Sequence, residues 1–107
     1  MIGANITNET RKAVYRRENF RCALCDGEAG LQIHHVIPRG QGGTDFPHNL
    51  IALCWRCHAT AHGTHLPEYD GVTSMDIAQA CVEYLSDYYA DLGLVWNPWE
   101  KQMRRIE

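Results

Sequence analysis

The sequence predicts a small α+β fold, on three observations: a strand, loop, strand, helix order in the middle of the chain, a helix on either side of it, and two Cys-x2-Cys pairs that can staple it together. At 107 residues the chain is long enough for one compact core and too short for two, so residues 1–107 are expected to form a single domain. A composition that is 45% hydrophobic and 21% charged is that of an ordinary globular protein and argues against a disordered chain. No apolar run approaches the roughly 18 residues of a membrane span, and Met1-Ile2-Gly3-Ala4-Asn5 lacks the basic start and apolar core of a signal peptide. A cytoplasmic protein with no membrane association is the expectation.

From Asn8, a capping residue, to about Asn19 the residues suit a short basic helix with Val14 facing inward. Leu31, Ile33 and Ile37 share one parity, a strand pattern that ends at Pro38. Gly40, Gly42 and Gly43 make Arg39 to His48 a connection longer than a tight turn, and Leu50 to Leu53 fits a second strand. Trp55 to His62 contains neither Pro nor Gly and stops at Gly63, which predicts a two-turn helix with a glycine at its end. A linker with Pro67 and Gly71 follows. Thr73-Ser74-Met75-Asp76 then opens a longer helix, residues 73–92, whose amphipathic stripe is Ile77, Cys81, Tyr84, Leu85, Tyr88 and Leu92. The tail, residues 94–107, carries Trp96 and Trp99 around Pro98 and has no clear period.

Charge is unevenly placed. Residues 1–62 carry seven Lys/Arg against five Asp/Glu and residues 63–107 carry three against eight, local balances of +2 and −5. Five of the seven N-terminal cations fall between Arg11 and Arg21, and a local patch governs attraction to phosphate more than the total charge does.

Cys22 and Cys25 form one pair and Cys54 and Cys57 the other, with 28 residues between them. Four thiolates in two such pairs complete the closed tetrahedral shell of a structural zinc ion. A redox pair is expected once beside a βαβ pattern, not twice. Zinc also answers the small size of residues 22–62, because metal binding supplies folding energy of roughly 10–16 kcal/mol in small metal-folded domains. Cys81 belongs to the helical stripe and reads as packing.

Four histidines bracket the same segment: His34 and His35 on the first strand, His58 and His62 on the helix. His58 and His62 share a face at i, i+4, with the cysteine pair about a quarter turn away, so one helix can serve two metals. Three imidazoles around a divalent ion leave an open coordination position, as in a catalytic site. Adjacent strand residues point to opposite faces, so spacing leaves open which of His34 and His35 is ligand and which is base. His48 and His65 have no partner pattern.

His34-His35, Gly42-Gly43, Asn49-Leu50, Leu53-Cys54-x2-Cys57-His58 and His62 resemble the HNH nucleases over about residues 11–63. The His-His, Asn, His-x3-His spacing is also similar to the nuclease domains of DNA-cleaving colicins, which lack the cysteines. The resemblance implies a ββα-metal, treble-clef-like core at residues 8–63, framed by the zinc site and followed by the C-terminal helix and tail. It implies His35 as general base and Asn49 as the residue whose side-chain carbonyl orients that imidazole. His34, His58 and His62 would hold the catalytic divalent ion, Mn²⁺, Ni²⁺ or Zn²⁺ ahead of Mg²⁺, which prefers oxygen.

The activity implied is hydrolysis of DNA phosphodiesters, leaving 5′-phosphate and 3′-hydroxyl ends. Arg16, Arg17, Arg21, Arg39 and Arg56 are then the candidate phosphate contacts. No second domain or separate recognition helix is visible to read base edges, so intrinsic sequence specificity is expected to be low. Short phage and prophage HNH proteins suggest a larger DNA-processing partner, which an acidic, tryptophan-bearing tail could dock; packing of the tail onto the domain is the simpler expectation. The alternative function is a lapsed zinc module that binds DNA or protein. A lapsed site is expected to lose one of His35, Asn49 and His58, and all three are present.

Overall fold

The computed structural model describes residues 6–107, so the start-of-chain reading at Met1 to Asn5 lies outside the described residues. Five main elements follow in order: α1 (Asn8–Arg17), β1 (Gln32–His35), β2 (Leu50–Leu53), α2 (Trp55–Ala61) and α3 (Ser74–Asp91). Strands β1 and β2 pair antiparallel, with Gln32 opposite Leu53, His34 opposite Ile51 and His35 opposite Leu50.

Strand β2 is the centre of the molecule. Its four residues Leu-Ile-Ala-Leu form a continuous apolar run, and both faces are buried as such a run requires. Leu50 and Ala52 pack on Val14 of α1, while Ile51 and Leu53 pack with Ile77, Cys81, Leu85 and Tyr89 of α3 and with three of the cysteines. Burial of each large side chain here contributes roughly 1.5–3 kcal/mol. The amphipathic stripe of α3 thus has a definite target, and Cys81 sits fully buried within it with its thiol pushed up to about 12 by that burial.

Helix boundaries differ from the sequence expectation by small, explicable amounts. Thr7, not Asn8, caps α1: its hydroxyl accepts from the Thr10 amide at 3.1 Å. The helix stops at Arg17, and Asn19 and Phe20 take left-handed conformations at φ 56° and 58°, which no helix can continue through. Helix α2 ends at Ala61 with Gly63 at φ 89° just beyond it, the left-handed position that favours glycine. Thr73 and Asp76 form the reciprocal capping box that opens α3.

Arg17 is a structural residue, contrary to its expected place at DNA. Its side chain is 5% exposed; it forks onto the Glu18 carboxylate at 2.6 and 2.9 Å, donates to the Pro47 and Leu50 carbonyls and meets the Tyr89 hydroxyl. Glu18, itself buried, also accepts from the Ala52 amide and the Tyr84 hydroxyl. This fully paired ion pair ties α1 to β2 and α3, so removing either partner would strand a buried charge.

The tail folds back. The Trp96 indole donates to the His48 carbonyl at 2.6 Å, the Thr44 hydroxyl to the Pro98 carbonyl at 2.9 Å, and His48 Nε2 lies 2.5 Å from the Glu100 carbonyl. His48 is therefore a buried, bonded core residue. Most of the acidity of the C-terminal part belongs to the linker and α3, from Glu68 to Asp91; the tail, residues 94–107, carries Lys101, Arg104 and Arg105 against Glu100 and Glu107, a balance of +1 that corrects its reading as acidic.

Candidate active site

Two clusters of metal-ligating side chains share α2. At its start Cys54 and Cys57 meet Cys22 and Cys25, all four sulfurs lying within 4.8 Å of one another. Three are buried and only Cys25 reaches the surface. The first knuckle is built by a turn after Cys22 in which Asp26 is left-handed and its amide donates to the Cys22 carbonyl; the second uses Cys54 as the N-cap of α2, its sulfur accepting from the Cys57 amide. The Cys22 thiol is held down to about 4 by the Cys57 thiol that donates to it, and Cys57 is raised in turn by that bond and by burial. A thiolate already favoured inside an all-sulfur tetrad fits zinc, which displaces the remaining protons on binding. The Tyr69 hydroxyl, 3.3 Å from Cys57 Sγ, adds an outer partner that sequence reasoning did not pick out.

At the other end of α2, His58 and His62 meet His34, again with ligand atoms within 4.8 Å of one another. The strand register explains which of the two adjacent histidines comes here. His34 lies opposite Ile51, on the face of the sheet that packs toward α2 and α3, whereas His35 lies opposite Leu50 on the α1 side. The His34 ring stands 5.2 Å from that of His58 and 5.4 Å from that of His62, and the Nε2 atoms of His58 and His62 are 3.0 Å apart. His34 is pushed down to about 4 by burial and by the neighbouring His58, His62 and His35, and His58 is lowered by burial and by His62. Such imidazoles stay neutral and keep the lone pairs that a metal requires. Gln32 Oε1 accepts from His58 Nδ1, fixing that ring's orientation. Gln32 shares the face of His34 by the two-residue period of a strand, a signal that was available in the sequence.

His35 turns to the loop after β1. Its Nε2 lies 2.8 Å from Asp45 Oδ1, and Asp45 is gripped by Arg39 through bonds of 2.9 and 3.0 Å. Asp45 is held below the usual carboxylate range, by Arg39 first and then by His35. Asn49 does not contact the imidazole as expected. It is fully buried and clamps the loop, its Oδ1 accepting from the Ile37 amide and its Nδ2 donating to the Ile37 and Thr44 carbonyls. The clamp sets where Asp45 stands, and Asp45 holds the ring. Gly43 is indispensable to this closure, because a Cβ there would lie 1.7 Å from the Ile37 carbonyl oxygen.

His34, His35, His58, His62 and Arg39 line one open cleft of about 740 Å³, with Met75 of α3 on its far wall. The other predicted DNA contacts do not line it, and they differ in how they are paired. Arg16 is exposed and makes no ion pair among the described residues. Arg21 pairs with Glu28 at 3.1 Å, and Arg56 pairs with Glu68 at 3.2 Å and stacks on Trp55. These exposed pairs are weak enough to be exchanged for a phosphate.

A strand pair and a short helix carrying a histidine cluster, with a cysteine tetrad beside them, define a ββα-metal fold. Residues 22–64 match the family model for the HNH endonuclease. The chain is 49% identical over 39 residues to the Type IV methyl-directed restriction enzyme EcoKMcrA of Escherichia coli, covering 36% of this chain and 14% of that protein. It is 43% identical over 44 residues to the Probable mobile endonuclease C of Enterobacteria phage T4, covering 41% of this chain and 21% of that protein. Anaredoxin of a Nostoc species is 31% identical over 55 residues, half of this chain and 72% of that protein. Residues 22–64 belong to the HNH endonuclease family, and the matches to the restriction enzyme and the mobile endonuclease span about a fifth or less of the length of those two proteins.

Proposed function

We propose that this chain is a divalent-metal-dependent endonuclease unit that hydrolyses DNA phosphodiesters. The single observation that carries it is the cleft itself, where a three-imidazole metal cluster and a separately held fourth histidine face the same space. With Nε2–H donating to Asp45, His35 presents Nδ1 as the base that takes a proton from the attacking water. His34, His58 and His62 hold the divalent ion, which when bound neutralises charge on the transition state and stabilises the leaving oxygen. Asn49 and Asp45 position His35 without touching substrate, and Cys22, Cys25, Cys54 and Cys57 hold a structural zinc. Arg16, with Arg21, Arg39 and Arg56, draws in the DNA backbone, so binding should fall steeply with salt and depend little on sequence. Cleavage within a larger DNA-processing assembly is compatible with this role.

A non-catalytic zinc module is the second reading; its support is that Anaredoxin, matched over most of its length, is not named as an endonuclease. A plasmid-nicking assay at low salt separates the two. Nicks with Mn²⁺ or Ni²⁺ that disappear on brief chelation support the nuclease; binding without cleavage in every divalent metal tested assigns the module. Mapped cuts recurring at one site of about six or more base pairs would show base-edge reading that the fold does not account for.

A further inference from the structure

The tail carries features that the cleavage chemistry does not use. Trp96 spends its indole N–H on the His48 carbonyl and is fixed in place. Trp99, three residues on, is 51% exposed and its indole makes no hydrogen bond among the described residues. Between them runs a second hollow of about 450 Å³, lined by Ile37, Trp96, Pro98, Trp99 and Arg104. That volume falls within the roughly 300–1,000 Å³ of small-ligand pockets.

Two placements say what fills it. The first is charge: Arg104, which lines the hollow, and its tail neighbours Lys101 and Arg105 are all exposed, and none of them pairs with an acid among the described residues. The second is position. A Cβ on Gly42 would stand 3.6 Å from the Trp99 ring, and Gly42 directly follows Gln41, which lines the histidine cleft together with Arg39. The hollow and the cleft are therefore two sides of one glycine-rich loop, and that loop is tied to the tail by the Thr44 bond to Pro98.

From this juxtaposition of an exposed indole, unpaired cations and the histidine cleft, we infer that the tail forms a stacking subsite for an unpaired nucleobase beside the phosphate to be cut. Trp99 supplies the aromatic face and Arg104 a backbone phosphate contact, the pairing of stacking platform and basic groove by which proteins hold single-stranded nucleic acid. The inference rests on the nuclease proposal for its biological sense, and it names the substrate class: DNA with unpaired nucleotides next to the cut. A proline-rich peptide is the competing occupant of an aromatic groove, but it gives the Arg104 guanidinium at the hollow no anion to meet.

The test uses the full chain without added divalent metal and measures anisotropy of a labelled oligothymidylate, of an abasic strand of equal length, and of a proline-rich peptide. The native protein should bind oligothymidylate at least about fivefold more tightly than the abasic strand, as stacking of one base on an aromatic ring predicts. Trp99→Leu, which keeps apolar bulk against Gly42, should erase that difference, and Trp99→Phe should retain most of it. Arg104→Gln should lower the salt slope by about one for both strands. Equal affinity for the two strands, an undiminished preference in Trp99→Leu with its zinc retained, or binding of the peptide alone would overturn the subsite. Parallel plasmid nicking keeps the two proposals apart: base preference without nicking fails the nuclease and supports the subsite, whereas nicking without base preference fails the subsite alone.

Discussion

The two ends of α2 solve opposite problems with similar geometry. The cysteine end gathers four donors, three of them buried, enough to close a tetrahedral shell; the histidine end gathers three around a point that opens onto a cleft. One extra ligand and greater burial separate a site that can only hold an ion from one that can expose it. The cysteines sit where β2, α2 and α3 converge and share in the core. The histidines are held by each other, by Gln32 and by the strand register. On the proposed function, structure depends on the first cluster and chemistry on the second.

The largest effect expected is at the cysteine end. Cys54→Ala should abolish zinc retention and unfold residues 22–62, because it withdraws most of a contribution of roughly 10–16 kcal/mol; zinc analysis with thermal melting reads it, and a zinc-free variant that stays folded would remove the contrast altogether. At the histidine end the fold should survive. His35→Ala should keep its zinc and lower cleavage by about 10² to 10⁴-fold, the usual worth of a positioned base. His58→Ala should instead raise the metal concentration needed for residual cutting, a difference visible only when rates are measured across a metal titration.

Acid should separate the clusters next. His34 lies below its ordinary value of 6.5, at about 4, so between those values the unfolded chain takes up a proton that the folded one refuses. Metal-free stability at the histidine end should therefore fall as pH drops from about 6.5 toward about 4, by up to about 3 kcal/mol. His34→Gln, titrated by denaturant across the same window, should lose most of that dependence, the remainder belonging to His58, which burial also lowers; an unchanged profile would mean that another group carries it. The smallest effect concerns Asp45. Asp45→Asn should slow cleavage by about 10 to 100-fold, as loss of an orienting partner does elsewhere, while leaving the metal dependence as it was; a shift in metal requirement would place Asp45 at the ion and not at the base.

Legibility in the sequence followed the same division. Both clusters were readable because ligand spacing is a local property: Cys-x2-Cys and His-x3-His are each set by one turn of chain. The run Leu50–Leu53 showed a strand, and only the packing revealed that α1 covers one of its faces and α3 the other. Contacts that cross the fold left no pattern. Arg17 looked like its neighbour Arg16, since one helical position decides whether a guanidinium meets solvent or the buried Glu18 carboxylate. Asn49 was recognised by its place in the motif, yet its partners at Ile37 and Thr44 and the pairing of Asp45 with His35 depend on how the glycine loop closes.

Helix α2 has only seven residues, well short of the dozen or so that hold a helix together in water. On the proposed assignment its shape comes from the ion at Cys54 and Cys57, and the spacing of His58 and His62 exists only after that ion has been delivered. Assembly is then sequential: zinc first, the working metal second. A cell short of zinc would accumulate chains unable to acquire the second ion however abundant it was, so zinc supply would act as a safety catch on a DNA-cutting protein during synthesis.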